Sequence, residues 1–476
     1  MAEKTLGQKV KEHLWGPVGS VLFHVILVVV LVKFVQFIQQ RDEAEIEVVM
    51  METQDIEIEE LLDEEVEELE DLSDVEEITM TDEPVTMENA ETENVSETTT
   101  EVDMQNLDMM SDIDSPVIMK GLLFGRTEIG RKAMLGKYAG KYGGLTEAAV
   151  RRALEWLKDN QNADGSWNSG QKIGHTGLGL LTFLAHGETP DSKRYGATVE
   201  KAIKYLLSQC NDKNEFKIAG ASHSSVYEHC IGTYAIAEAF GMTRVPALKE
   251  AMDANLQVII KGQQKGGGWD YHWDDKDRTD TSVMGWAAQA LKAGKIAGSQ
   301  VDGLPEALKK AVPGFRAMAT ASTGKFGYTN PGSGDIGMTG VGILCMQLLG
   351  APKDPLTLKG LALLEKTQAT YSAASSKHPL YSYYYITQAK FHEGGDTWNE
   401  WNPKIATLLV KSQHKEGYWE PEEVKTRGKV YCTTLAALTL QVYYRFLPTF
   451  QADATKAAPA EVLAEDDDVM ISVGGG

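Results

Sequence analysis

The stretch QNADGSW at residues 161–167 decides the fold, because it returns as QQKGGGW at 263–269 and QHKEGYW at 413–419. Each copy reads Gln, five residues, Trp: Gln161 and Trp167, Gln263 and Trp269, Gln413 and Trp419. A spacing that recurs near a period of about fifty residues is the mark of repeat architecture. Degenerate copies fall at Phe216 and at Phe326–Tyr328, and a further Gln, Gln368, stands without a Trp. A Gln at the end of a helix can bond its exposed carbonyls, the glycines supply the turn, and the Trp is expected to pack across to the neighbouring repeat.

Around these loops two kinds of helix alternate. The first kind is amphipathic and charged on one side, as in TEAAVRRALEWLKDNQ (146–161) and WNPKIATLLVKSQ (401–413). The second kind is apolar nearly all round and rich in small residues, as in HTGLGLLTFLAHG (175–187), MTGVGILCMQLLG (338–350) and YCTTLAALTLQVYYRF (431–446). A helix polar on one face belongs outside and one apolar on all faces inside. An open solenoid would need polar capping repeats at its ends, and none is evident. The expectation is an all-α fold, an α/α toroid of six helix pairs filling residues 145–450.

The rest of the chain has a different composition. Residues 42–115 hold 30 Asp and Glu and no Lys or Arg, in a chain whose total is −23, so the remainder is mildly basic. Such a segment cannot bury enough apolar surface to offset its ordering entropy and is expected to be an extended, disordered linker. Ile58, Leu62, Val66, Leu69 and Leu72 fall near helical spacing, where a partner could fold them. Residues 17–38 form a mostly apolar stretch long enough to cross a bilayer. Lys4, Lys9 and Lys11 precede it, which puts residues 1–16 in the cytoplasm and the toroid outside. A single-pass protein of the cytoplasmic (inner) membrane with a periplasmic toroid follows. The Gly-rich basic connector 116–144 is expected against either the acidic stretch or the toroid, and the tail 451–476 is expected to be disordered.

Four cysteines do not make a disulfide framework. Cys345 and Cys432 read as small hydrophobes in apolar helices, while Cys210 and Cys230 could pair in an oxidising compartment. The folded part lacks a clustered Lys/Arg stripe, so nucleic acid is not an expected partner. No Gly-rich phosphate loop, Ser-His-Asp order or Cys-x-x-Cys pair is present, and neither a cofactor nor a metal is expected.

The pattern A-x-x-W-L-x-x-x-Q followed by D-G-S-W at 153–167 resembles the repeat of squalene and oxidosqualene cyclases. The resemblance covers about two-thirds of the chain. It implies the α/α toroid shared with protein prenyltransferase β subunits and complement-like thioester domains, and it implies terpene cyclase or prenyltransferase chemistry. The catalytic positions depart from all three. The cyclase acid motif falls on Asp277-Arg278-Thr279-Asp280-Thr281, with Thr279 at the protonating position. An offset reading, His272-Trp273-Asp274-Asp275, has His first. The prenyltransferase zinc motif falls on Asp280-Thr281-Ser282, where a hydroxyl replaces the thiolate, and Tyr431-Cys432 brings no His. The thioester Cys-Gly-Glu-Gln is absent. Ser20 and His24 share one face of the expected membrane helix, and S-V-L-F-H there resembles the anchor of TonB-type energy transducers. That resemblance implies contact with a proton-driven membrane complex.

Inner-helix starts cluster at one rim of a ring, so their polar residues are expected to converge there. Asp280, His229 and His223 are the acid–base candidates. Trp269, Tyr271, His272, Trp273, Asp274, Asp275, Tyr227, Tyr383, Tyr384 and Tyr431 are candidates for holding a ligand. Binding of a lipid, glycan or peptide is favoured over catalysis, with a divergent isoprenoid enzyme and a motor-coupled transducer as alternatives.

Overall fold

The computed structural model describes residues 124–445 except 169, 218–222, 274–277, 372–375, 377 and 422–423. The expected membrane helix with Ser20 and His24, the acidic linker and the tail lie outside the described residues. So do Asp274 and Asp275. Among the described residues no helix is long and apolar enough to cross a membrane.

The described residues contain helices and no strands. The outer helices are α2 (Gly143–Asp159), α4 (Gly196–Ser208), α6 (Pro246–Lys261), α8 (Leu304–Ala317), α10 (Pro355–Leu364) and α12 (Gly395–Ser412). The inner helices are α3 (Lys172–His186), α5 (His223–Thr243), α7 (Thr281–Ile296), α9 (Ile336–Leu348), α11 (Pro379–Glu393) and α14 (Lys429–Leu440). Three shorter or peripheral helices complete the set: α1 (Glu128–Tyr138), α13 (Val424–Arg427) and α15 (Val442–Arg445). Each inner helix packs on the next, and α14 packs back on α3 while α12 packs on α2. The ring closes. The fold is an α/α toroid, as the alternation of helix types predicts.

Closure rests on three copies of one staple. Gln161 Nε2 donates to Gly165 O and to Thr198 O in α4, each at 3.0 Å. Gln263 Nε2 donates to Gly267 O at 3.0 Å and to Ala307 O in α8 at 2.9 Å. Gln413 Nε2 donates to Gly417 O at 2.9 Å and to Ala149 O in α2 at 2.8 Å, which joins the last repeat to the first. The loop glycine of the middle copy, Gly267, has φ +91°, and a Cβ there would lie 2.0 Å from Lys310 O in α8.

The tryptophans act differently from expectation. Trp167 Nε1 donates to Leu157 O at 2.7 Å, Trp269 Nε1 to Ile259 O at 2.8 Å and Trp419 Nε1 to Leu409 O at 2.8 Å. Each Trp therefore ties down the outer helix of its own repeat. Its ring reaches the inner helix of that same repeat, as where a Cβ on Gly179 would meet Trp167 at 2.7 Å. The Gln amide bonds the neighbouring repeat, while the indole N–H of each Trp bonds its own.

The connector lies against the toroid. Arg126 Nη1 pairs with Glu238 of α5 at 2.6 Å, and Arg131 Nη1 donates to His186 O at the end of α3. Arg445 is buried and donates to Tyr234 O–H at 2.7 Å. A Cβ on Gly125 would lie 2.7 Å from Tyr444 O. Residues 124–126 and α15 thus meet beside the C-terminal parts of α3 and α5. All four cysteines are free, so Cys210 and Cys230 do not pair; Cys230, Cys345 and Cys432 are buried.

Candidate functional site

At the other end the N-termini of all six inner helices surround a cavity of about 1000 Å³. Its wall takes His175 and Leu178 from α3, Tyr227, Glu228 and Ile231 from α5, and Ser282 and Trp286 from α7. Asp335 and Met338 come from the start of α9, His378 and Tyr381 from α11, and Arg427 and Tyr431 from α13 and α14. Tyr271 and Tyr328 enter from loops, each two residues after the buried aromatic of its loop, Trp269 and Phe326. The backbone fixes both: Asp280 N donates to Trp269 O and Thr281 N to Tyr328 O, each at 2.9 Å.

Asp280 anchors one side of this wall. Its carboxylate caps α7, accepting from Ser282 N at 3.0 Å and Val283 N at 3.2 Å. It also accepts the Ser282 hydroxyl at 2.6 Å. A hydroxyl has one proton, so Tyr227, 2.5 Å from Ser282 Oγ, is the donor in that pair. The Tyr271 hydroxyl lies 3.4 Å from that of Tyr227 and bonds the Tyr328 hydroxyl, which in turn bonds Asp280. Burial pushes the phenols of Tyr227, Tyr271 and Tyr328 up, so they stay neutral hydroxyls. The Arg278 guanidinium lies 3.3 Å from Asp280 and 4.7 Å from the Tyr271 ring centroid.

Two more carboxyls reach the cavity. Asp335 caps α9 through Gly337 N at 3.0 Å and accepts the Ser376 hydroxyl at 2.8 Å. Glu228 projects from α5 to the start of α3, where Ile173 N donates to it at 3.1 Å. Burial raises the Glu228 carboxyl above the ordinary range. Burial also lowers the His175 imidazole, whose Nδ1 lies 3.0 Å from Gln171 O.

Of the expected ligand-holding residues, Tyr227, Tyr271 and Tyr431 line the cavity, and Asp280 stands directly behind Tyr227 and Ser282. The others stand elsewhere. Trp269 is a buried staple, His272 is exposed, and Trp273 packs edge-on to His229 at 5.6 Å. The Tyr383 hydroxyl bonds the backbone of Thr370, and Tyr384 stacks behind Trp286 at 5.5 Å. His229 is buried, with Nε2 3.1 Å from Asn255 O of outer helix α6. It is turned from the cavity, and an Asp280–His229 pair is not formed. α5 begins at His223, whose side chain lies outside the described residues. Thr279, at the protonating position of the cyclase motif, donates to Gln264 Oε1 at 2.9 Å. Glu228, Tyr328, His378 and Arg427 are cavity residues that sequence reasoning missed. The two-residue offset from the buried aromatic of its loop is the signal that finds Tyr328. Among the described residues no group of three His, Cys, Asp or Glu is arranged to hold a metal ion.

No family model matches this chain, and no curated protein does. Solved structures share the fold at low similarity. An inactive variant of the α-1,6-mannanase GH76A of Salegentibacter sp. HEL1_6, in complex with α-1,6-mannotriose, is 12% identical. The match covers 63% of this chain and 99% of that one, with a TM-score of 0.48. The type II terpene cyclase MstE from Scytonema is 14% identical over 63% of this chain and 98% of that one, with a TM-score of 0.42. A protein from Actinoplanes is 14% identical over 63% and 99%, with a TM-score of 0.43.

Proposed function

We propose that this protein is a membrane-tethered, extracytoplasmic toroid that binds a small organic ligand in the cavity at the N-terminal rim of its inner helices. One observation carries the reading: a cavity ringed by the N-termini of all six inner helices, on which aromatic rings, phenol hydroxyls and carboxyls converge. Concave sites with apolar walls and a few placed polar groups are what ligand pockets look like. Residues 17–38 supply the tether, with the N-terminus in the cytoplasm. Native mass spectrometry of the full-length protein, purified in detergent, tests the reading. A bound molecule is expected, and it should be lost when Met338→Trp fills the cavity. Retention by that variant, with its helical signal intact, would overturn it.

An enzymatic reading has one observation in its favour. Glu228, a carboxyl whose acidity is weakened by burial, lines the cavity, where a general acid would have to stand. An isoprenoid enzyme of this chain would use it in place of Thr279. Loss of turnover in Glu228→Gln, measured at saturating ligand, would establish catalysis; unchanged turnover would exclude Glu228 as its acid.

A further inference from the structure

Resting on the binding reading above, we infer that the ligand class is an uncharged oligosaccharide, stacked on the cavity tyrosines and donating its hydroxyls to Asp335, Glu228 and the phenols anchored on Asp280. Charge comes first. Asp280 is matched by Arg278 at 3.3 Å, Asp335 by the N-terminus of α9, and Glu228 by Ile173 N of α3 at 3.1 Å. Helix N-termini favour such carboxylates. Each acid thus already has a donor beside it, so a ligand that completes their hydrogen bonding need not be a cation.

The hydroxyl chemistry argues next. Ser282 gives its proton to Asp280, and Tyr227 gives its own to Ser282. The Tyr227 oxygen therefore offers lone pairs to the cavity. A carboxylate has about four lone-pair sites, and the hydrogen bonds of Asp335 to Gly337 N and the Ser376 hydroxyl occupy two of them. These are acceptors in want of donors. A hydrocarbon ligand would cover them without replacing their water, at roughly 1–3 kcal/mol for each group left unsatisfied. A polyol supplies the missing donors.

Shape argues last. The Tyr227 and Tyr271 rings stand 5.9 Å apart at 58°, so their faces are not closed against each other. Tyr431 also lines the cavity, with the Arg427 guanidinium near its face at 5.9 Å. Tilted aromatic faces with acceptors between them complement the C–H faces and equatorial hydroxyls of pyranose rings. The cavity volume is at the upper end for small-ligand sites, enough for more than one ring.

Calorimetric titration of the full-length protein tests this. The neutral probes are the tetrasaccharides of cellulose, chitin and α-mannan, set beside geranylgeraniol and tetragalacturonate. One or more neutral tetrasaccharides should bind, and Asp335→Asn should weaken that binding at least tenfold. Asn still caps α9, so the melting temperature of this variant should stay within a few degrees of the parent. Glu228→Gln, which keeps an acceptor for Ile173 N, should weaken binding similarly. If geranylgeraniol alone binds, or tetragalacturonate binds best, the carbohydrate assignment is overturned and the cavity reading stands. If no probe binds, both are overturned.

Discussion

Single positions show how half a helical turn separates a wall residue from a core residue. Tyr227 and His229 are two apart on α5, about 200° around the axis at 100° per residue. Tyr227 therefore meets the cavity while His229 meets Asn255 of the outer layer. The same rotation puts Tyr381 on the wall, Tyr383 beside Trp401 and Tyr384 behind Trp286. Residue type announces polar or aromatic character, but only the helix phase says which of these neighbouring tyrosines faces inward. Burial lowers the imidazole of His229 to about 4, and that of His392 likewise to about 4. Both rings are neutral in the fold, so the unfolded chain binds protons first. Their contribution is complete above the unfolded value near 6.5 and is lost as pH falls toward 4. The urea midpoint should drop between pH 7 and pH 4.5, with a shallower slope in His229→Phe. An unchanged slope would refute the assignment.

Elements are held by the staples more than by propensity. Each staple Gln answers two carbonyls, one in its own loop and one in the next outer helix. Gln263→Ala removes two bonds in one stroke and is expected to cost about 1–3 kcal/mol. Gly267→Ala should cost more than that, because its backbone is left-handed and Lys310 O occupies the space of the new Cβ. The closing copy is the distinctive one. Gln413→Ala releases α2 from α12, the junction of the last repeat with the first. Hydrogen exchange should then rise first in α2 and α12; a rise spread evenly over the ring would count against local closure. The division of labour between Gln and Trp was not legible in the loop sequence, because both side chains reach backbone carbonyls and only the ring geometry says whose.

The whole molecule has two unlike ends. Arg126, Glu238 and Arg445 form a buried charged plug where the segments flanking the ring meet. Removing one partner of a buried ion pair costs about 3–5 kcal/mol. Arg126→Ala should therefore lower the denaturation midpoint far more than Lys132→Ala, whose i,i+4 pair with Glu128 is exposed. Equal effects would mean that the plug is not structural. The coupling reading belongs at this scale as well. A toroid driven from the membrane should lose its cellular role when Ser20→Leu or His24→Leu is introduced. A phenotype unchanged in both would rule the coupling reading out.

The ring was written in the sequence. Helix type alternates, and the Gln-to-Trp spacing recurs three times, because a closed toroid must repeat its joints. The aromatic, acid-bearing character of one rim was legible too, since the polar residues stand at inner-helix starts. Tertiary structure alone decided the rest. It turned His229 outward, carried Glu228 across to the neighbouring helix, and brought Tyr328 from a degenerate loop onto Asp280. It also folded residues 124–126 against α5. These are contacts between repeats, fixed by the angle at which one helix pair meets the next, and a one-dimensional pattern does not contain that angle.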